Sequence, residues 1–231
     1  MRLAALGGIL APLTTPFDAE SGDVAPVALR RVARELIAAG LDGVVVAGST
    51  GESALLDEAE KIRAVEWLRE VVPEDRWLVA GTGAESTRAA VRLSRAAAAA
   101  GADAVLVRPP SYFAALLSSS ALADHYRRVA DASPVPVIVY NIPKFTHVML
   151  QDSTLRALAD HERIVGFKDS SGDLKVFAGF RAALPRAVAL VGGGWLLYAA
   201  LELGAAGGMG GVACFAPTEC VELLAAFRAG D

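Results

Sequence analysis

The sequence predicts an α/β protein built as one (β/α)8 TIM barrel, and three observations lead there. Short β-branched runs alternate with longer, alanine-rich amphipathic stretches along all 231 residues. The runs lack polar alternation, as expected of parallel strands covered on both faces. Eight such strands can be counted, each followed by a helix, whereas a doubly wound sheet usually stops near about six. No linker or shift in composition marks a second domain, so residues 1–231 read as a single catalytic unit.

The elements follow in order. Residues 1–6 resemble a signal segment only faintly: Gly7, Gly8 and Pro12 follow at once, and no A-x-A site appears. They read as a lead-in to a first strand at 8–12, with a helix at 26–39 ended by Gly40. A strand at 43–47 precedes a helix at 57–72, opened by Asp57 and Glu60 as a capping box. A strand at 77–81 precedes a helix at 86–100, capped by Ser86 and ended by Gly101. The fourth pair is a strand at 104–107 and a helix at 118–130 capped by Ser118. Strands at 135–140 and 164–168 are followed by helices at 152–159 and 173–184. The last two pairs place strands at 188–192 and 208–213 before helices at 195–203, ended by Gly204, and 218–228. A helix-Gly-x-Asp-strand join occurs twice, around Gly40-Leu41-Asp42 and Gly101-Ala102-Asp103.

Composition narrows the function. Apolar residues make up 54%, enough for a large core and incompatible with disorder. A net charge of −4 and a pI near 5.5 leave no basic face for nucleic acid. Mean hydropathy is +0.41, yet the most apolar region, 188–216, is broken by Gly192-Gly193-Gly194, Glu202 and Gly207-Gly208. It holds no uninterrupted apolar stretch of about 20 residues, so no membrane partner is expected. Cys214 and Cys220 match neither a disulfide framework nor a zinc spacing, which suits a reducing, cytoplasmic setting. His125, His147 and His161 are scattered and form no metal set, and no cofactor is called for.

In such a barrel, chemistry sits where strands end and βα loops begin. After the second strand comes Gly48-Ser49-Thr50-Gly51-Glu52. Two glycines around two hydroxyls suit an anion cradle, and equally a glycine turn with a capping hydroxyl. After the fifth comes Tyr140-Asn141-Ile142-Pro143, whose tyrosine is a proton relay or a packed phenol. The sixth ends in Lys168-Asp169-Ser170-Ser171-Gly172. An ordinary loop lysine paired with Asp169 is one reading. The other rests on scarcity: of 22 basic residues only Lys61, Lys144, Lys168 and Lys175 are lysine. Arginine cannot form an imine and lysine can, and burial at an apolar strand end disfavours the charged amine. Gly207-Gly208-Met209-Gly210-Gly211 reads either as a phosphate loop or as a place where small residues permit close approach.

Together, the three motifs after strands two, five and six resemble the dihydrodipicolinate synthase/N-acetylneuraminate lyase family of class I, pyruvate-type aldolases. The resemblance covers essentially the whole chain. Ala80-Gly81-Thr82-Gly83-Ala84-Glu85-Ser86-Thr87 and the stretch 125–137 look closest to its 4-hydroxy-2-oxoglutarate aldolases. It implies that Lys168 forms a Schiff base with a 2-oxo acid, pyruvate or a pyruvate-derived one, and that Tyr140 moves protons. It implies that Ser49 and Thr50 hold the pyruvyl carboxylate, with Thr50 turned towards Tyr140, and that Gly192 and Met209 line the pocket floor. The catalytic set so implied is Lys168, Tyr140 and Thr50.

Departures from the family pattern sharpen the expectation. Phe145 stands where the synthases carry an arginine for the second substrate's carboxylate, and His147 where a glycine is usual. Tyr112-Phe113 replaces a Tyr-Tyr pair. A 4-hydroxy-2-oxo acid whose distal end is apolar, hydroxylated, or bound by Lys144 or His147 is therefore expected, rather than aspartate semialdehyde. Two alternatives stand beside this lyase: a catalytically idle barrel that binds an oxo acid, and a condensing enzyme of the dihydrodipicolinate synthase type. Family members usually continue past the eighth barrel helix into a small helical region, whereas this sequence stops at Gly230-Asp231. The expected fold thus lacks the family's C-terminal helical extension. Uncovered apolar outer helix faces imply a homo-oligomer, a dimer or tetramer.

Overall fold

A computed structural model describes residues 6–230; most of the lead-in at 1–6 lies outside them. Eight parallel strands close into a barrel in sequence order. They are β1 (Gly8–Pro12), β2 (Gly43–Val46), β3 (Trp77–Gly81), β4 (Ala104–Val107), β5 (Val137–Asn141), β6 (Ile164–Asp169), β7 (Val188–Val191) and β8 (Gly207–Gly208). The helices are α1 (Pro26–Ala38), α2 (Glu58–Arg69), α3 (Thr87–Ala99), α4 (Ser119–Ala132), a single turn α5 (Pro143–Thr146), α6 (Asp152–Arg156), α7 (Leu174–Ala183), α8 (Leu197–Glu202) and α9 (Pro217–Ala229). The (β/α)8 class is as the sequence predicts. α9 is the last element, with no further helix among the described residues.

The local chemistry explains the ends of the elements. Asp57 and Glu60 form the reciprocal capping box, both bonds 2.7 Å long. Ser86 and Ser118 each accept a backbone N–H at 3.2 Å. Asp42 and Asp103 give the repeated join its purpose. Each carboxylate accepts, at 2.8 Å, the backbone N–H of a residue on the preceding strand, Ile9 or Leu78.

Strand alternation divides the apolar side chains into two layers. Val44, Val46, Val137, Val139 and Phe167 face the helices, where Phe167 meets Phe177 and Phe180. Leu10, Val45, Val79, Leu106, Ile138, Tyr140, Leu190 and Met209 fill the barrel interior.

Five strands differ from the expected bounds, β6 and β7 only by one residue, ending at Asp169 and Val191. β2 ends one residue early because Ala47 turns to φ 52°, outside the extended region. β5 begins and ends later than expected, at Val137 and Asn141. β8 is only two residues long, and residues 211–214 form a 3-10 turn instead of strand. A Cβ on Gly207 would lie 1.9 Å from the Gly8 carbonyl oxygen, so barrel closure here requires a residue without a side chain. Gly207 and Gly208 are paired on both sides, with β1 and β7, which removes them from any phosphate loop.

Many exposed large apolar residues lie in loops that follow the strands, Leu55, Tyr112, Phe113, Leu116, Trp195 and Phe215, while Val27 on α1 and Tyr198 on α8 are exposed on helices. Among the described residues, no helix is long and apolar enough to cross a membrane.

Candidate active site

The β5–β6 seam brings the two chemistry-bearing side chains together. Val137 pairs with Ile164, but a bulge shifts the register so that Ile138 meets Gly166 and Tyr140 meets Lys168. Without the extra residue, Tyr140 would stand opposite Phe167. Bulges re-aim side chains in this way. Lys168 lies 4% exposed with its Nζ 4.4 Å from the centre of the Tyr140 ring, itself buried.

Asp169, beside Lys168 in sequence, is not its partner. Its carboxylate accepts the Asn141 amide at 2.7 Å and the Ser171 hydroxyl and N–H at 2.7 and 3.1 Å. Burial raises its pKa above the ordinary carboxylate value against these bonds. Asn141 also accepts the Leu150 N–H at 3.1 Å, so this network ties the ends of β5 and β6 to the following loop. Among the described residues Lys168 forms no ion pair, and the loop-lysine reading loses its partner.

The turn after β2 is held from several directions. Ala47 and Glu52 adopt φ 52° and 56° on either side of Ser49-Thr50, a conformation that surrounding contacts must sustain. Thr15 Oγ1 donates to the Gly51 carbonyl at 2.7 Å, and the Ser53 N–H reaches Gly48 at 3.2 Å. Ser49 and Thr50 thereby line one cavity of about 170 Å³ with Tyr140, Lys168, Gly192 and Met209. All six site residues expected from the sequence border this space. A smaller crevice joins Ser49 to Tyr140 but does not include Thr50. A Cβ on Gly192 would fall 1.9 Å from the Ser170 hydroxyl, so a side chain there would displace Ser170.

The cavity also has walls to which the sequence reading gave no role: Pro12, Ile142, Ser170, Gly193 and Trp195. Lys144 and Phe145 border it as well, whereas exposed His147, at φ 54° after α5, does not. His147 is thereby removed as a candidate for the distal end of the substrate.

A second polar group anchors the rim. Arg108 bonds Glu85 at 3.0 Å, and Glu85 accepts the N–H groups of Ser111 and Tyr112, both at 2.8 Å. Burial opposes ionisation of Glu85, but these donors together hold its pKa at about 2. The carboxylate thus fixes the loop that carries Tyr112 and Phe113. Glu85 appears in a family-like stretch of sequence, but its partner lies 23 positions away (108 − 85), a pairing that no local pattern marks.

Comparison with known proteins shows the family and the fold. Residues 5–231 match the model of the dihydrodipicolinate synthetase family. A probable mitochondrial 4-hydroxy-2-oxoglutarate aldolase of Emericella nidulans is 37% identical over 96% of this chain and 74% of its own. A 4-hydroxy-tetrahydrodipicolinate synthase of Mycobacterium leprae is also 37% identical, over 99% of this chain and 75% of its own. Among solved structures, YagE, a prophage protein of the dihydrodipicolinic acid synthase family from E. coli K12 in complex with pyruvate, superposes with a TM-score of 0.92. It is 31% identical, covering 98% of this chain and 76% of that one. The chain belongs to the dihydrodipicolinate synthetase family, whose members are pyruvate-dependent lyases or synthases.

Proposed function

From that membership as premise, we propose that the protein is a class I aldolase that cleaves a 4-hydroxy-2-oxo acid to pyruvate and an aldehyde, or runs the reverse addition. The observation that carries this reading is the pairing of Tyr140 with Lys168 inside the cavity bordered by Ser49 and Thr50. Lys168 Nζ adds to the C2 carbonyl; the carbinolamine hydroxyl then takes the Tyr140 proton and leaves as water, which gives the protonated imine and a Tyr140 phenolate. The C3–C4 electron pair then passes into the protonated imine as the C4 hydroxyl loses its proton to Tyr140, which releases the aldehyde and leaves an enamine. Protonation at C3 and hydrolysis of the imine return pyruvate and the free lysine. Ser49, Thr50 and the turn's N–H groups hold the carboxylate throughout.

Phe145 supports the lyase over the condensing alternative. It borders the cavity and offers an apolar ring where a carboxylate clamp would be needed for aspartate semialdehyde. The exposed apolar loops of the mouth support a homo-oligomer. We place the protein in the cytoplasm.

The test is pyruvate release from 4-hydroxy-2-oxo acids by wild type and Tyr140→Phe. Wild type is expected to turn them over and the variant to be slower by about 10²-fold or more, the usual worth of a positioned acid–base group. Faster condensation of aspartate semialdehyde with pyruvate than any cleavage reaction overturns the reading.

A further inference from the structure

The layer between barrel and helices is apolar along β5 and β6 until the strands end. Val137, Val139 and Phe167 lie in it, and Asn141 and Asp169 follow, 1% and 3% exposed. Alternation along each strand puts these two on the face opposite Tyr140 and Lys168, one residue further on. The Asn141 amide donates to the Asp169 carboxylate at 2.7 Å across the seam, in the last pair of the bulged register. Other donors converge on the same two groups: the Leu150 N–H on Asn141 Oδ1 at 3.1 Å, and the Ser171 hydroxyl and N–H on Asp169.

As a source of stability such a pair has little to offer. Burial works against the Asp169 charge, and apolar side chains of similar volume often serve a buried position as well or better. What an amide and a carboxylate add is register. Valine and phenylalanine tolerate sliding, whereas a buried hydrogen-bonded pair is satisfied in one alignment only. Loss of the bulge would be such a slip, setting Tyr140 opposite Phe167 and Asn141 opposite Lys168. The backbone of the pair also carries the cavity wall. The Asn141 carbonyl accepts the Ser170 N–H at 2.8 Å, and the Asp169 carbonyl accepts the Gly192 N–H at 2.7 Å.

We infer that Asn141 and Asp169 are positioning residues for the imine chemistry: their cross-strand bond latches the bulged register and so keeps Tyr140 beside Lys168. Neither side chain borders the cavity, so both act through their neighbours in sequence. The inference deepens the proposed lyase reading and rests on it for what Tyr140 and Lys168 do. Ser49 and Thr50 follow β2, three strands away from β5. The latch therefore bears on imine formation and proton transfer, and not on the hold of the carboxylate.

Exchange of the pyruvate C3 hydrogens in deuterium oxide, followed by NMR, reads Lys168 and Tyr140 together, since it needs both the imine and a proton acceptor. Asn141→Asp sets two carboxylates against each other across the seam. Its saturated exchange rate is expected to fall about 10²-fold, the scale of a misplaced reacting group, with half-saturating pyruvate within about threefold. Adding Asp169→Asn restores the amide–carboxylate bond with donor and acceptor exchanged, and is expected to recover most of the loss. Should Asn141→Asp fail to fold, Asp169→Ala takes its place in the comparison. Ser171→Ala removes a bond to the same carboxylate without crossing the seam, and should stay within about threefold of wild type. A folded double variant no faster than the broken single one, or a Ser171→Ala loss as large, overturns the inference. So does a loss that appears in half-saturating pyruvate rather than in rate. Absence of exchange in wild type is a different result: it defeats the imine reading, and the latch falls with it.

Discussion

The β5–β6 seam and the β8–β1 seam solve opposite problems in the same barrel. β5 and β6 run five and six residues, and a bulge sets their register so that Tyr140 and Lys168 meet. β8 runs two residues, both glycine, and at Gly207 the backbone of Gly8 occupies the space a side chain would need. One seam is organised around where side chains must point, the other around their absence. The difference teaches that a cavity among closely spaced strands needs both: a rigid pair that presents reactive groups, and a stretch of bare backbone that leaves closure and room to the rest.

The largest expected effect breaks the first seam chemically. Lys168→Arg keeps a cation at the same register position, yet guanidinium cannot form an imine. Turnover should fall by about 10³-fold or more while the melting temperature stays within a few degrees. Retention of activity within tenfold would mean that the buried lysine only positions the substrate.

The next effect breaks the second seam mechanically. Gly207→Ala forces a methyl against the Gly8 carbonyl, whereas Gly211→Ala meets nothing within 4 Å. Overpacking of this kind costs about 3 kcal/mol, so Gly207→Ala should shift urea unfolding strongly and Gly211→Ala scarcely at all. Equal stability of the two variants would show that closure at β8 does not depend on bare backbone.

The smallest effect lies away from both seams. His125 on α4 is buried, with Nδ1 2.9 Å from the Thr87 hydroxyl. Burial, assisted by Arg108, lowers its pKa from 6.5 to about 4. The native state therefore binds fewer protons there than the unfolded chain. The stability from this group is full above about pH 6.5 and is lost as pH falls through 4. Denaturant midpoints at several pH values should show a shallower acid slope for His125→Gln than for wild type. An identical slope would assign the acid sensitivity to other groups.

Much of this was legible in the sequence because its signals are local. Hydrophobic runs, glycines at Gly40, Gly101 and Gly204, and the caps at Asp57, Ser86 and Ser118 each state their element within a few residues. Lys168 and Tyr140 stood out as polar groups finishing apolar strands. What makes them neighbours is less visible: the bulge between Val137 and Ile138 pairings depends on two strands at once, and no periodicity marks it. β8 is shorter than the strand expected at 208–213 because only Gly207 and Gly208 pair with β1 and β7, and the chain turns at 211–214, which no local pattern marks. The distal wall, with Trp195, Ser170 and Lys144 converging from three loops, exists only after the ring has closed.

The imine at Lys168 is the centre of the account, and peptide mapping after incubation with pyruvate and borohydride tests it most directly. The account predicts one reduced pyruvyl group per chain, located on Lys168 and absent from Lys168→Arg. An adduct on Lys144 or Lys175, or none on folded wild-type protein, would contradict it.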